Sequence, residues 1–257
     1  MVDYDRGPPA KFTNHFAAVP DPPVKDRFWY DWGPVFYRGR LNGSARVLCI
    51  GSDPGPTERI AGRTLVGDAG QRVQGLLAKL GLTESYVCLN AFAWALFPSQ
   101  ASTAAGMLAV PAQLVWRNRL YDLVRSPRLQ AVVAFGAVAQ SALGLWPGRA
   151  GLATAELPHP SSHNEAQLLK EWRAAIPALR AIVTPDPDGN AGLPNYGTAF
   201  READYVAIPR ADLPFGAPAF LGDDHWLRVR GKRSSVRRPK PDDRHTLTWI
   251  APKGTPP

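Results

Sequence analysis

Between Arg46 and Ile182, short apolar runs alternate with stretches of helical spacing. Val47-Leu48-Cys49-Ile50 is uninterrupted and stops at Gly51, which predicts a strand buried on both faces. Val73, Leu76, Leu77 and Leu80 then recur at i, i+3, i+4 and i+7, one face of a helix that Gly81 ends. Residues 86–89 read as a second strand, and a helix is expected over 111–124 with Pro111 in its first turn. Residues 131–135 form a third apolar run, closed by Gly136, and 137–145 its helix. A short fourth strand before Pro158 and a helix over 165–182 complete the set. Strands alternating with helices imply parallel βαβ units. The expected fold is therefore α/β, a three-layer αβα domain around a central four-stranded parallel sheet. No internal repeat is visible.

The flanks have a different texture. Residues 1–44 are rich in Pro, Gly and aromatics, and read as a segment wrapped around a domain at 45–183. From 184 onward Pro and Gly stay frequent, so 184–257 reads as an extension packed on that domain. Its apolar patches at 205–208 and 247–250 suit edge strands or segments lying on the body. With 257 residues, 45% hydrophobic and 20% charged, the chain can bury a full globular core.

The start, Met1-Val2-Asp3-Tyr4-Asp5, is acidic where a secretory signal would be basic. No uncharged apolar run approaches the roughly 18 residues of a membrane span. A cytoplasmic protein with no membrane partner is expected. Cys49 and Cys88 both fall in strands, where a buried free thiol is the ordinary occupant. Two cysteines cannot supply the four thiolates of a typical iron–sulfur cluster. Net charge is +8, and residues 228–240 (RVRGKRSSVRRPK) hold seven Lys/Arg and no acid. That excess favours a polyanionic partner, because each neutralised phosphate releases counterions. From charge alone, a solvated tail fits equally well.

Ligands of open α/β sheets bind beyond the carboxyl ends of the strands, which singles out three loops. The first reads Gly51-Ser52-Asp53-Pro54-Gly55-Pro56-Thr57-Glu58 and continues GRTLVGDAG. It lets backbone approach a ligand and sets a carboxylate just past a strand, a candidate base. A Gly-rich loop there also suits nucleotide binding, but neither GxGxxG nor GxxxxGK[ST] is present. The second loop opens with Asn90, whose amide can read a pyrimidine edge or simply end a strand. The third is His159-Pro160-Ser161-Ser162-His163. Pro160 restricts the backbone at His159, and two hydroxyls follow that suit phosphate oxygens. Taken singly, each loop has an ordinary structural reading.

Taken in order, the three loops resemble the uracil-DNA glycosylase superfamily over roughly residues 45–182. GSDPG is similar to its first motif, CLN to the strand whose terminal Asn reads uracil, and HPS to its His-Pro-Ser motif. A bacterial branch known from rhizobia, with Asp and no iron–sulfur cluster, is the most similar. GRTLVGDAG with the helix after it resembles the thermophile-type iron–sulfur branch, which has an aromatic where Leu65 stands. Three departures stand out. The cluster cysteines are missing, Gly55 occupies the place of a bulky Tyr in the best-known branch, and no apolar wedge follows Ser161.

The resemblance implies hydrolysis of the N-glycosidic bond of uracil in DNA by a monomeric enzyme with no cofactor and no metal. Asp53 would position water and His159 would support the leaving oxygen. Ser52, Pro54, Gly55, Leu65 and Asn90 would hold the base. Ser161, Ser162 and His163 would meet DNA, joined by Arg228, Arg230, Lys232, Arg233, Arg237 and Arg238 of the basic segment. Two other classes compete. One is a uracil- or abasic-site binder without turnover, which has no use for Asp53 in a phosphate-lined groove. The other is a nucleotide-binding α/β module, which predicts affinity for ATP or NAD.

Overall fold

The computed structural model describes residues 4–217, so the basic segment and the apolar patch at 247–250 lie outside the described residues. In chain order the strands are β1 (Tyr37–Gly39), β2 (Val47–Gly51), β3 (Tyr86–Asn90), β4 (Ala131–Phe135) and β5 (Ala153–Leu157). The helices are α1 (Ala10–Ala17), α2 (Pro56–Ala61), α3 (Asp68–Lys79), α4 (Ala104–Met107), α5 (Pro111–Val124), α6 (Gly136–Gly144) and α7 (Glu165–Ile182). All four expected strands form, pair in parallel and carry the expected helices.

The sheet order is β1-β3-β2-β4-β5, and β1 runs antiparallel on β3. The expected four-stranded parallel sheet is present and is extended to five strands by an antiparallel edge strand drawn from the segment read as a wrap. Its middle residue explains the difference. Arg38 is fully buried in a three-residue strand, so no apolar alternation marks it. Residues 205–208 form no strand but lie on the body, where Val206 donates to the Gln71 carbonyl at 3.1 Å and Ile208 is buried.

Side-chain alternation along the strands feeds two cores. Leu48, Ile50, Val87, Leu89, Val132 and Ala134 pack toward α1, α4, α5 and α6. Val47, Cys49, Tyr86, Cys88, Ala131, Val133 and Phe135 pack toward α3 and α7. Central strands buried on both faces are what the unbroken apolar runs required. Cys49 and Cys88 are register partners on β2 and β3, both buried and both free thiols. Among the described residues no helix is long and apolar enough to cross a membrane.

Candidate active site

The parallel strands all point their carboxyl ends the same way, and three chemical groups follow from that. β2 ends at Gly51, register partner of Asn90 at the end of β3. Ser52 and Asp53 continue β2, and His159 follows β5 by two residues. β4 lies between β2 and β5. At about 4.8 Å per strand, the two catalytic candidates are set roughly 10 Å apart along one edge.

Asn90 is 6% exposed, yet neither its Oδ1 nor its Nδ2 has a hydrogen-bond partner among the described residues. Leaving such groups unmet typically costs about 1–3 kcal/mol each, so both atoms of this amide stand open to a partner that the described residues do not supply. Gly51 makes the arrangement possible, since a Cβ there would collide with Asn90 Oδ1. Leu65 borders the same spot, its Cδ2 3.5 Å from where that Cβ would stand. Leu65 is also the one described non-glycine residue with positive φ, +51°. That conformation costs about 1–2 kcal/mol for a residue with a Cβ, and it sits on the loop facing Asn90.

Asp53 is half-buried, and its Oδ2 accepts the Leu96 N–H at 2.9 Å. Burial pushes its carboxyl pKa up, against the lowering effect of hydrogen bonds from Ser52 and Leu96. The first two loops are laced together beside it, with Ala91 N–H donating to Gly51 O and Phe92 N–H to Ser52 O, both at 2.9 Å. Pro54 is buried and Gly55 half-buried in the same loop.

Glu58 fixes the shape of that loop and was not among the candidates read from the sequence. Its buried carboxylate accepts the N–H groups of Gly55 and Val66, each at 3.1 Å. The sequence did hold a signal, Gly55-Pro56-Thr57-Glu58, which places an acid three residues beyond Gly55, the residue that caps the start of α2. A Cβ on Gly55 would approach Glu58 Oε2 to 2.8 Å. Bulk at position 55 therefore disturbs the loop as well as the pocket.

His159 is half-buried, and burial lowers its pKa to about 4. Its Nδ1 accepts the Ser161 N–H at 3.1 Å, so in the neutral ring the proton sits on Nε2. A neutral imidazole offering Nε2–H is a hydrogen-bond donor at pH 7, not a cation. Gly136, with φ +82°, lets β4 turn into α6 where a Cβ would stand 2.9 Å from the His159 Cβ. Ser161 and His163 are exposed and Ser162 is half-buried.

Arg72 of α3, also missed from sequence, holds the His159 loop from the side of the domain. Its Nη1 donates to the Pro160 carbonyl at 2.7 Å, and its Nε and Nη2 donate to the Tyr205 hydroxyl at 3.1 and 2.8 Å. The guanidinium also lies 4.3 Å from the Phe200 ring centroid. No local pattern announces this, because its partners stand up to 133 residues away. Among the described residues no group of three His, Cys, Asp or Glu is arranged to hold a metal ion.

Residues 38–180 match the family model of the uracil DNA glycosylase superfamily, which is more than half of the chain. The chain belongs to that superfamily. No curated protein matches it. Two solved structures of UNG from Nitratifractor salsuginis share a distant likeness with this superfamily member. A point mutant is 14% identical, covering 69% of this chain and 95% of that one at a TM-score of 0.36. The wild type is 12% identical, covering 70% and 99% at a TM-score of 0.29. The superfamily segment starts at Arg38 in β1 and ends at Arg180 in α7. It therefore contains Asp53, Asn90 and His159, and excludes Tyr205.

Proposed function

We propose that this glycosylase-superfamily protein hydrolyses the N-glycosidic bond of uracil in DNA, leaving an abasic site as the first step of base excision repair. The observation that carries the reading is Asn90, a buried amide with neither polar atom partnered among the described residues, at the end of the strand next to the one that leads to Asp53, on the sheet edge that also carries a neutral His159. An amide donor and acceptor side by side match the O4 and N3–H edge of uracil, and mismatch that of cytosine.

The target bond is hidden inside a duplex, so the nucleotide is first swung out of the stack into the pocket. Asn90 then holds the base edge and Leu65 packs over its face. As the bond from N1 to C1′ breaks, the sugar becomes cationic and the base leaves as an anion. Asp53 faces the sugar, stabilises the cation and orients water, which bonds to C1′ through oxygen while the proton it loses ends on the departed uracil anion. His159 donates its Nε2–H to the departing base oxygen. A donor aimed at developing charge acts mainly in the transition state. The neutral ring suits this role, since it offers its proton without carrying charge into a half-buried pocket. Ser161, Ser162 and His163 meet the flanking backbone, the basic residues 228–240 add sequence-independent affinity, and the protein works as a monomer.

The test is strand cleavage after alkali on a uracil-containing oligonucleotide and a matched thymine control, with and without EDTA. Cleavage at uracil alone, persisting in EDTA, is the expected result. The roles assigned use side chains only, so rescue by a divalent ion after chelation would overturn the mechanism. Tight binding without cleavage would move the protein to the class of non-catalytic uracil binders.

A further inference from the structure

Beside Asp53, the N-terminal segment lays aromatic rings in the open. Trp29 is 42% exposed and Trp32 half-buried, and their rings stack with centroids 5.2 Å apart and planes 15° from parallel. Phe97 meets Trp29 edge-on at 4.4 Å, and the Arg59 guanidinium lies 5.2 Å from the Trp32 ring centroid. Rings of this size are normally spent on burial. An exposed tryptophan stacked on a half-buried one leaves a ring face open to an occupant.

The ledge is tied to both loops that flank Asp53. Trp29 N–H donates to the Ala95 carbonyl at 2.8 Å, and the next residue, Leu96, donates to Asp53 itself. Phe28 forms an antiparallel bridge with Leu96 in the same pairing. Arg59 belongs to α2, which begins three residues after Asp53. A strand that delivers one nucleotide to Asp53 must therefore pass close to these rings.

We propose that Trp29, Trp32 and Phe97 form a stacking platform for unpaired bases next to the extruded nucleotide, a single-strand subsite of the pocket assigned above. It rests on that assignment only in taking DNA to be the polymer that reaches Asp53. Every base has a π-face, so aromatic ledges grip single strands without reading sequence. In a duplex those faces are already covered by neighbouring pairs, so the platform favours single-stranded substrate. The local charges say which part of the strand is gripped. Asp21 is engaged by Lys25 at 2.7 Å and by the Tyr30 hydroxyl at 3.0 Å. On the same short turns Asp26 and Asp31 offset Lys25 and Arg27, which leaves little net attraction for phosphate. The contact is thus to bases, with Arg59 extending the π surface, and its share of affinity is insensitive to salt. A second copy of the chain is a poor occupant, because a protein of net charge +8 repels itself.

The experiment uses the full chain and a fluorescein-labelled, uracil-free oligo(dT), with a matched duplex, read by anisotropy. Replacing both tryptophans (Trp29→Ala with Trp32→Ala) should weaken single-strand binding roughly tenfold or more. Duplex binding should move less than twofold, and the salt slope on single strands should steepen or stay the same. Restoring rings with Trp29→Phe and Trp32→Phe should recover most of the affinity. Equal single-strand affinity for wild type and the alanine variant, or an equal loss on duplex, would overturn the proposal. If the alanine variant does not fold, acrylamide quenching of the wild type decides: bound oligo(dT) must shield tryptophan, and unchanged quenching overturns the platform. A sedimentation change in place of an affinity change would assign the ledge to self-association, and equally overturn it. Because the probe lacks uracil, its binding is read whether or not the protein proves to be a glycosylase.

Discussion

The two ends of the parallel sheet treat buried polar groups in opposite ways. At the amino end, Asp186 receives the N–H groups of Thr83, Glu84 and Ser85 at 2.9, 2.9 and 3.0 Å and the Arg46 guanidinium at 3.1 Å. Nearby, Asp212 receives Arg38, Arg40 and the Tyr86 hydroxyl at 3.0, 2.9 and 2.7 Å. At the carboxyl end, neither amide atom of Asn90 has a partner among the described residues, and the described hydrogen bond to the His159 ring leaves Nε2 open. In the function proposed here, the saturated groups hold the fold and the unsaturated pair at the carboxyl end receives the substrate. The difference separates residues whose loss should unfold the protein from those whose loss should silence it.

The largest effect is expected at the silent end. Asp53→Asn and His159→Ala should each lower single-turnover excision about 10²–10³-fold, with little change in melting temperature. Rates near wild type for both variants would erase the assigned roles. At the other end, Asp186→Ala should cost about 1–3 kcal/mol of stability, because it strips three N–H groups of their acceptor and leaves the part-exposed Arg46 guanidinium only the carbonyls of Thr184 and Pro185. Excision per folded molecule should persist. Burial alone would raise the Asp186 pKa, but its hydrogen bonds outweigh that and hold it at about 2. The depressed folded pKa means its stabilisation is complete above about pH 4 and lost as pH falls through 2. That share is roughly 2 kcal/mol, and acid melts of the variant should lack it.

A third test crosses the comparison. Asn90→Leu removes the orphaned amide, so it should raise stability by about 1–2 kcal/mol while abolishing discrimination between uracil and cytosine. A variant both less stable and still selective would show that Asn90 belongs with the structural group. The smallest effect concerns pH. With the His159 pKa near 4, excision should show no inflection at 6.5, and its acid limb should reflect Asp53 losing charge at a raised pKa. An inflection near 6.5 that disappears in His159→Ala would mean the ring titrates and acts as a cation.

What could be read from the sequence follows the same divide. Strands buried on both faces are unbroken apolar runs, so β2, β3 and β4 were legible, the edge strand β5 was placed by its position before Pro158, and the loops after them carried the candidate site. The strand β1 was not, because its centre is a charged residue whose partner Asp212 lies 174 residues away. The site residues Asp53, Asn90 and His159 announced themselves by motif, while the groups that hold their loops did so unevenly. Glu58 acts within its own turn and left a local signature, whereas Arg72 and Tyr205 act across the fold and left none. Local physics writes itself into neighbouring residues. Long-range pairing does not.

One feature of the saturated end limits how the chain can be shortened. The superfamily segment ends at Arg180, yet the carboxylates facing Arg46, Arg38 and Arg40 come from Asp186 and Asp212, beyond that end. A version trimmed to the family boundary would keep every assigned site residue in the described part and still strand a fully buried guanidinium at Arg38 without its counter-charge. Loss of such a partner costs about 3–5 kcal/mol, a large share of a domain's usual 5–15 kcal/mol margin. The shortest soluble version worth expressing therefore runs past Asp212, and a protease that nicks the chain between Ile182 and Asp212 should inactivate the protein without touching its pocket.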